Sequence, residues 1–191
     1  MNIKIPIETS ARHVHLSWED LEALFGKGYQ LKKMKNLSQP REFAAKEEID
    51  IEANKRKILG IRILGPIRRE TQVELSHTDL IYLRLKPMVK ESGDIKGTSG
   101  ALLIGPKGKV KLKKGVINAW RHIHCNPGEA ERFGLKNRDL VLVRTKGICS
   151  VTFHNVRVRV NKNYRLAMHV DSDEGNAACI PKRGEGFIVK T

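Results

Sequence analysis

The chain has 191 residues, of which 40% are hydrophobic and 30% charged, a composition typical of a globular protein with one large domain or two small ones. No apolar run approaches the roughly 20 residues that a membrane-spanning helix needs. The N-terminus also lacks the layout of a signal peptide, so we expect a cytoplasmic protein. The three cysteines are odd in number and form no CxxC pair, which disfavours a disulfide framework and predicts reduced thiols.

The formal net charge of +15 favours anionic partners, among them nucleic acid, membrane surfaces and phosphorylated cofactors. Lysine and arginine are spread along the chain, and aromatic residues make up only 5% of it, which weakens the case for a protein that binds single strands by base stacking. A solvated basic surface explains the charge equally well.

Short alternating segments bounded by turn residues dominate the chain, which predicts β-barrels rather than βαβ units. Segments 48–52 and 57–64 predict a hairpin around Asn54 and Lys55. Segments 101–104 and 109–112 predict a second hairpin. Further strands are predicted at 140–145, 151–153, 156–160, 166–170 and 187–189.

Two helices are predicted by their caps. Ser17 precedes the helical pattern of residues 18–25, and Gly26 follows it. Asn126 precedes a second helix that has proline at its first position and ends before Gly134.

Each capped helix follows the same motif, Arg12-His-Val-His in one case and Arg121-His-Ile-His in the other. We infer that one unit occurs twice, each copy presenting a His-x-His strand that runs into a capped helix. Side chains at i and i+2 of a strand share a face about 7 Å apart, so both imidazoles of a motif can converge on one ion. A lone His-x-His is weak evidence, but two copies in matching contexts favour metal.

Each pair needs a third ligand. His169 lies in an apolar predicted strand, where a desolvated histidine needs a partner, so it is a ligand candidate. Glu74 lies in an alternating stretch and can be a ligand, although a surface strand residue or an ion pair fits it equally well. His77 and His154 lie in no comparable motif or strand pattern and are interpreted as surface histidines. By strand parity Cys125 points away from the neighbouring histidines, which predicts a buried thiol.

Arg68 and Arg69 follow Gly65-Pro66, a turn that would project one guanidinium into a cleft, where its forked donors suit phosphate oxygens. Two consecutive arginines on a loop are more often simply solvated, so the pattern alone leaves both interpretations open.

Five strings, in this order along most of the chain, closely resemble the PduL-type phosphotransacylases, the phosphate propanoyltransferase family. They are Arg12-His-Val-His-Leu-Ser, Gly65-Pro-Ile-Arg-Arg-Glu-Thr-Gln-Val-Glu, Glu91-Ser-Gly-Asp, Arg121-His-Ile-His and Met168-His-Val-Asp-Ser-Asp-Glu-Gly-Asn-Ala-Ala.

The resemblance implies a mainly β fold of two small β-barrels with short capping helices. It implies one domain of residues 1–11 plus 120–191, in which the N-terminal strand joins the C-terminal half, and a central barrel of residues 12–119. It also implies two zinc ions per chain at the interface of the barrels, and a homodimer. The implied ligands of one zinc are His13, His15 and Glu74, and those of the other are His122, His124 and His169. Arg68 matches the arginine that holds phosphate, and the positions that match coenzyme A contacts are Ser10, Lys35, Arg62, Leu64, His169 and Asn176.

The implied activity is that of a phosphate acyltransferase, which interconverts short-chain acyl-CoA plus phosphate and acyl phosphate plus coenzyme A by direct attack of phosphate. The N-terminus lacks the amphipathic extension that directs some family members into bacterial microcompartments, so we expect a free cytoplasmic form without membrane partners. Two alternatives remain: a dizinc thioester or phosphoester hydrolase, and a non-catalytic, zinc-stabilised protein that binds nucleic acid.

Overall fold

The computed structural model describes residues 3–189, so the outermost residues of the predicted terminal domain, 1–2 and 190–191, lie outside it. Short strands dominate this part of the chain, as the alternating sequence pattern predicts. They are β1 (Ile3–Ser10), β2 (His13–His15), β3 (Lys33–Asn36), β4 (Phe43–Ala53), β5 (Arg56–Gly65), β6 (Gln72–Glu74), β7 (Val89–Lys90), β8 (Leu102–Ile104), β9 (Lys109–Lys111), β10 (Val116–Ala119), β11 (His122–Cys125), β12 (Leu140–Thr145), β13 (Thr152–Val160), β14 (Ala167–Asp171) and β15 (Arg183–Val189).

Four short helices accompany the strands, and none of those within residues 3–189 is long and apolar enough to span a bilayer. They are α1 (Trp18–Phe25), α2 (His77–Tyr82), α3 (Pro127–Phe133) and α4 (Ser172–Ala177).

Among the described residues, one compact unit, here called the barrel unit, comprises residues 3–11, Ser38–Pro40 and residues 120–189. Its strands close into a barrel in the order β1-β14-β11-β13-β12-β15. The N-terminal strand β1 pairs in parallel with β14 and antiparallel with β15, which confirms the expectation that it joins the C-terminal barrel. Alternate residues of β1, Ile5 and Ile7, point into a core that also contains Ile123 and Met168. This alternation of apolar and polar residues is what one buried face of a strand requires.

The second compact unit, here called the sheet unit, comprises Arg12–Leu37 and Arg41–Ala119. Its nine-stranded sheet has the order β7-β10-β6-β2-β5-β4-β8-β9, with β3 paired to β4, and it curls into a half-barrel. The long β4–β5 hairpin turns at Asn54 and Lys55, both with φ above +20°, as a tight hairpin turn requires. Both predicted hairpins are therefore confirmed, as is the mainly β architecture of two barrel-like units with short helices.

The two predicted caps are confirmed. The Ser17 side chain accepts a hydrogen bond from the backbone N–H of Asp20 at the start of α1. Asn126 forms a capping box with Glu129 at the start of α3, and Gly134 ends that helix in the left-handed conformation.

One predicted boundary is wrong. The sequence pattern predicts separate strands at 151–153 and 156–160, but the structure has the single strand β13. Asn155 adopts φ 54° inside this strand, so a residue typical of turns bends the strand without ending it.

Candidate metal centres

The first cluster lies in the sheet unit and contains His13, His15 and Glu74. Strand β2 places both histidines on one face, and β6 runs antiparallel beside it with Glu74 directly opposite His13. One potential ligand atom from each residue lies within 4.8 Å of the other two. Nε2 of His13 lies 3.4 Å from Oε2 of Glu74. Three residues from two stretches of chain are thus arranged to hold one cation.

The protonation states in this cluster suit a divalent metal. Burial alone would raise the pKa of Glu74, but the charges of His13 and His15 and the hydrogen bonds from His13 and Ser92 hold it well below its usual value. Burial, followed by the charges of His13 and Arg68, lowers the pKa of His15 well below its usual value. The carboxylate is therefore charged and the imidazole of His15 is neutral, as metal ligands must be. Within residues 3–189, Nδ1 of His15 is a buried nitrogen without a hydrogen-bond partner.

A polar network holds the carboxylate of Glu74 through the oxygen other than the one near His13. Oε1 of Glu74 accepts hydrogen bonds from the Ser92 hydroxyl at 2.7 Å and from Nε2 of Gln72 at 2.6 Å. Nε2 of Gln72 also donates to Ser92 at 2.9 Å, and the backbone N–H of Gly93 donates to Oε1 of Gln72 at 2.7 Å, which fixes the amide orientation. One carboxylate oxygen is thereby occupied by donors, and the other faces the histidines. Sequence reasoning missed Gln72 and Ser92, because their relation to Glu74 depends on pairing across the fold.

Arg68 lies beside this network. Its backbone N–H donates to the carbonyl of Leu16 at 2.9 Å, which anchors the loop to the end of β2. Its Nη1 donates to the Ser92 hydroxyl at 3.1 Å, and Nη2 lies 4.0 Å from Oε1 of Glu42. The side chain is half-buried, whereas the neighbouring Arg69 is exposed. Of the two arginines that the turn sequence singled out, the structure thus directs Arg68 towards the first cluster.

The second cluster lies in the barrel unit and contains His122, His124 and His169. Strand β14 runs antiparallel to β11 with His169 directly opposite His122. The ring centroids lie 4.5 Å apart for His122 and His124, 5.4 Å for His122 and His169, and 5.0 Å for His124 and His169. Nδ1 of His122 is 2.8 Å from the carbonyl of Trp120. A carbonyl can only accept, so Nδ1 carries the proton, and the lone pair of Nε2 can bind a metal.

The two clusters are built on the same plan. Strand β2 lies between parallel β5 and antiparallel β6, and β11 lies between parallel β13 and antiparallel β14. In each case the antiparallel strand supplies the third candidate ligand and runs into a short helix. The arginine before each His-x-His motif pairs with the acidic residue at the third position of that helix. Arg12 lies 3.1 Å from Asp79 in one copy, and Arg121 lies 2.5 Å from Glu174 in the other.

The sequence predicts the repeated strand and its capped helix but not the second helix of each copy. A signal for both missed helices is present in the sequence. Ser76 caps α2 and Asp171 caps α4, each followed three residues later by an acidic residue, Asp79 or Glu174. Both helices have only six residues, so they lack the apolar periodicity that identifies a longer helix.

The residues expected to contact coenzyme A fall into two groups. In the sheet unit, Lys35 and Leu64 both pair with Ala44 of β4. Arg62 is paired with His13 across β5 and β2, and its guanidinium contacts Glu48 and donates to the carbonyls of residues 45 and 46.

In the barrel unit, Ser10 of β1 pairs with Asp171 of β14, two positions beyond the pairing of Glu8 with His169. Asn176 lies exposed on α4, the helix that follows β14. Ser10, His169 and Asn176 therefore all lie on β1, on β14 or on the helix that β14 leads into.

The predictions that His77 and His154 are surface histidines and that Cys125 is a buried thiol are confirmed. His77 and His154 are exposed. Cys125 lies fully buried in the barrel core, where burial and, to a lesser extent, the charge of Glu129 raise the pKa of its thiol to about 11.

Comparison with known proteins agrees with the resemblance. The profile of a family described as phosphate propanoyltransferase matches residues 6–181. A protein from Thermotoga maritima is 49% identical over 187 residues, which cover 97% of this chain and 89% of the relative. Relatives from Clostridioides difficile and Listeria monocytogenes are each 44% identical over 186 residues, covering 97% of this chain and 89% and 87% of their own lengths. All three relatives carry the name phosphate propanoyltransferase.

The fold, the two clusters and these matches define an enzyme of the phosphate acyltransferase class. Within that class, the chain belongs to the phosphate propanoyltransferase family.

Proposed function

We propose that this protein transfers a short acyl group between coenzyme A and inorganic phosphate, with one zinc ion in each cluster and therefore two per chain. The observation that carries the proposal is the arrangement of His13, His15 and Glu74 beside Arg68. A candidate metal centre and a guanidinium share one hydrogen-bonded network through Ser92. A thioester and phosphate suit the two kinds of group that this network would offer once a metal is bound, a Lewis acid and a forked cationic donor.

The donor chemistry of both clusters fits zinc. Two imidazoles with one carboxylate, and three imidazoles, are ligand sets that zinc enzymes use with a further position left for substrate. Nδ1 of His122 donates a hydrogen bond to the Trp120 carbonyl. A hydrogen bond of this kind, from the ring nitrogen that does not bind the metal, orients a zinc-bound histidine. Bound zinc would supply Lewis acidity that stabilises the coenzyme A thiolate and the charge on phosphate. We propose that both clusters are required for the same turnover.

The chain's own residues supply orientation. We propose that Arg68 binds the phosphate and directs one of its oxygens at the thioester carbonyl, so that phosphate attacks directly without an enzyme nucleophile. The bond from Nη1 of Arg68 to Ser92 holds the guanidinium in place, so binding phosphate costs less side-chain entropy. We further propose that coenzyme A is contacted by Ser10, Lys35, Arg62, Leu64, His169 and Asn176.

Three expectations stay predictions: the division into domains 1–11 plus 120–191 and 12–119, the homodimer, and the cytoplasmic location. The dimer is tested by the molar mass of the protein in solution.

The proposal is tested by Arg68→Ala with Arg69→Ala as the matched control. Losing a charge-assisted bond to phosphate costs about 1.5–3 kcal/mol, which corresponds to a rise of roughly 10- to 100-fold in the KM for phosphate. Arg69 is exposed and adjacent, so its loss should leave that KM unchanged. An unaltered KM in Arg68→Ala removes Arg68 from the mechanism. Thioester loss that proceeds equally well without phosphate identifies a hydrolase instead.

A further inference from the structure

The half-buried Tyr164 stacks on one histidine of the second cluster. Its ring centroid lies 4.0 Å from that of His124, and the two ring planes are inclined by 34°. This distance is shorter than those from His124 to the other two histidines of the cluster, which are 4.5 Å and 5.0 Å. Because the stacked ring covers one face of the imidazole, His124 cannot rotate about its Cβ–Cγ bond without displacing the tyrosine.

The turn that carries Tyr164, residues 161–166 between β13 and β14, is anchored at its start to strand β11. The backbone N–H of Asn161 donates to the carbonyl of Cys125, the last residue of β11, at 3.1 Å. The backbone N–H of Tyr164 donates to the carbonyl of Asn161 at 2.9 Å. Strand β11 also carries His124. The turn is therefore fixed to the same strand as the histidine on which its tyrosine stacks.

The other end of the turn is held by Gln39, which belongs to the same compact unit. Nε2 of Gln39 donates to the carbonyl of Arg165 at 2.9 Å, and Oε1 of Gln39 accepts from the backbone N–H of Arg165 at 3.2 Å. The side-chain amide thus satisfies both backbone groups of the residue that follows Tyr164, and this fixes its own orientation. Gln39 is only 3% exposed, so breaking either hydrogen bond would leave a buried polar group unpaired.

The electrostatics of the stacked pair favour a metal on His124. The face of a tyrosine ring is electron-rich and attracts cations and electron-poor groups. Cζ of Arg159, the residue paired with His124 between β13 and β11, already lies 5.9 Å from the Tyr164 centroid. A divalent metal bound to His124 would withdraw electron density from the imidazole. The contact between the two rings therefore becomes stronger when the metal binds, and the tyrosine stabilises the metal-bound form over the metal-free one.

We propose that Tyr164 is a positioning residue that holds the His124 imidazole in the orientation that zinc binding at the second cluster requires, and that Gln39 holds Tyr164 in place. The inference rests on the proposed function, because it concerns the zinc assigned to this cluster. A ligand whose side-chain conformation is fixed by packing loses less freedom when the metal binds. The ring of Tyr164 acts here, whereas its hydroxyl takes no part, so phenylalanine should replace tyrosine.

The test titrates zinc in competition with a chelator of known affinity, using full-length protein whose first cluster is disabled by His13→Ala and His15→Ala. In this parent protein, Tyr164→Leu should weaken zinc binding about three- to tenfold, the range that an aromatic pair contributes. Tyr164→Phe should bind zinc as tightly as the parent. Tyr82→Leu is the matched control, because the Tyr82 ring also lies near an arginine, 5.3 Å from Cζ of Arg56, but in the sheet unit.

Gln39→Ala keeps the tyrosine and should weaken zinc binding by a smaller factor, because the turn loses one of its two anchors. Equal zinc affinity in Tyr164→Leu and the parent, an equal loss in Tyr82→Leu, or a full loss in Tyr164→Phe would each overturn the proposal.

A second measurement needs neither a variant nor a metal. In the NMR spectrum of the unaltered, metal-free protein, the ring protons of Tyr164 and His124 should show nuclear Overhauser contacts, and their absence would overturn the proposal. The two measurements also separate this inference from the proposed function. A parent protein that binds no zinc at the second cluster contradicts the proposed function and this inference with it. Zinc that binds equally tightly with and without the Tyr164 ring contradicts this inference alone.

Discussion

Replacing Ser92 by alanine should weaken metal binding at the first cluster without removing a proposed ligand. The Ser92 hydroxyl donates to Oε1 of Glu74 at 2.7 Å and accepts from Gln72 at 2.9 Å and from Arg68 at 3.1 Å. Partners that orient a metal ligand are typically worth 10- to 100-fold in metal affinity. Gln72 keeps its own hydrogen bond to Oε1 of Glu74 at 2.6 Å, so this oxygen retains one donor. The loss of metal affinity should therefore lie at the lower end of that range. We expect one zinc ion to bind about tenfold more weakly, which corresponds to a loss of about 1.4 kcal/mol of binding free energy.

The assay is a zinc titration in competition with a chelator of known affinity. Tyr29→Phe is the matched control, because the Tyr29 hydroxyl also donates to a carboxylate of the same unit, Glu47, at 2.8 Å. Ser92→Thr keeps a hydroxyl and should recover much of the affinity. Equal zinc affinity in Ser92→Ala and the unaltered protein, or an equal loss in Tyr29→Phe, would refute the role assigned to Ser92.

Two further predictions concern stability. A Cβ atom on Gly65 would clash with the ring of Phe43, so Gly65→Ala should cost about 1–3 kcal/mol of unfolding free energy, measured by urea denaturation; an unchanged midpoint contradicts this packing. Burial would raise the pKa of Asp50, but bonds from Lys57 and the Gly60 N–H lower it overall. The stability that the Asp50 carboxylate contributes to the folded protein is therefore complete at pH values above 3.8, its usual pKa. That contribution is lost as the pH falls through the lower pKa of the folded state. Asp50→Asn should be less stable than the unaltered protein at pH 7, with the difference shrinking towards pH 3, and a difference that is constant with pH opposes this assignment.

Features that depend on neighbours in sequence could be predicted. The hairpin at Asn54 and Lys55, the Ser17 and Asn126 caps and the two His-x-His strands each need only a few consecutive residues, and the structure contains all of them. The duplication was visible because both copies repeat the same order of motif, cap and glycine.

Features that depend on pairing between distant stretches could not be predicted from pattern. Glu74 fitted a surface strand as well as a ligand, since only the register of β6 against β2 places it opposite His13. The contacts from Gln72 and Ser92 have the same origin. The strand boundary predicted at Asn155 was wrong for a different reason. A residue typical of turns can adopt a left-handed conformation within a continuous strand.

The central claim is that two histidine-rich clusters hold the metal on which acyl transfer depends. The most direct measurement determines the zinc content of the purified protein and its rate of thioester formation from acetyl phosphate and coenzyme A. Both are measured as isolated, after chelation, and after zinc is added back. We expect two zinc ions per chain, loss of the rate on chelation and its return with zinc. Metal-free protein that retains the full rate would contradict it.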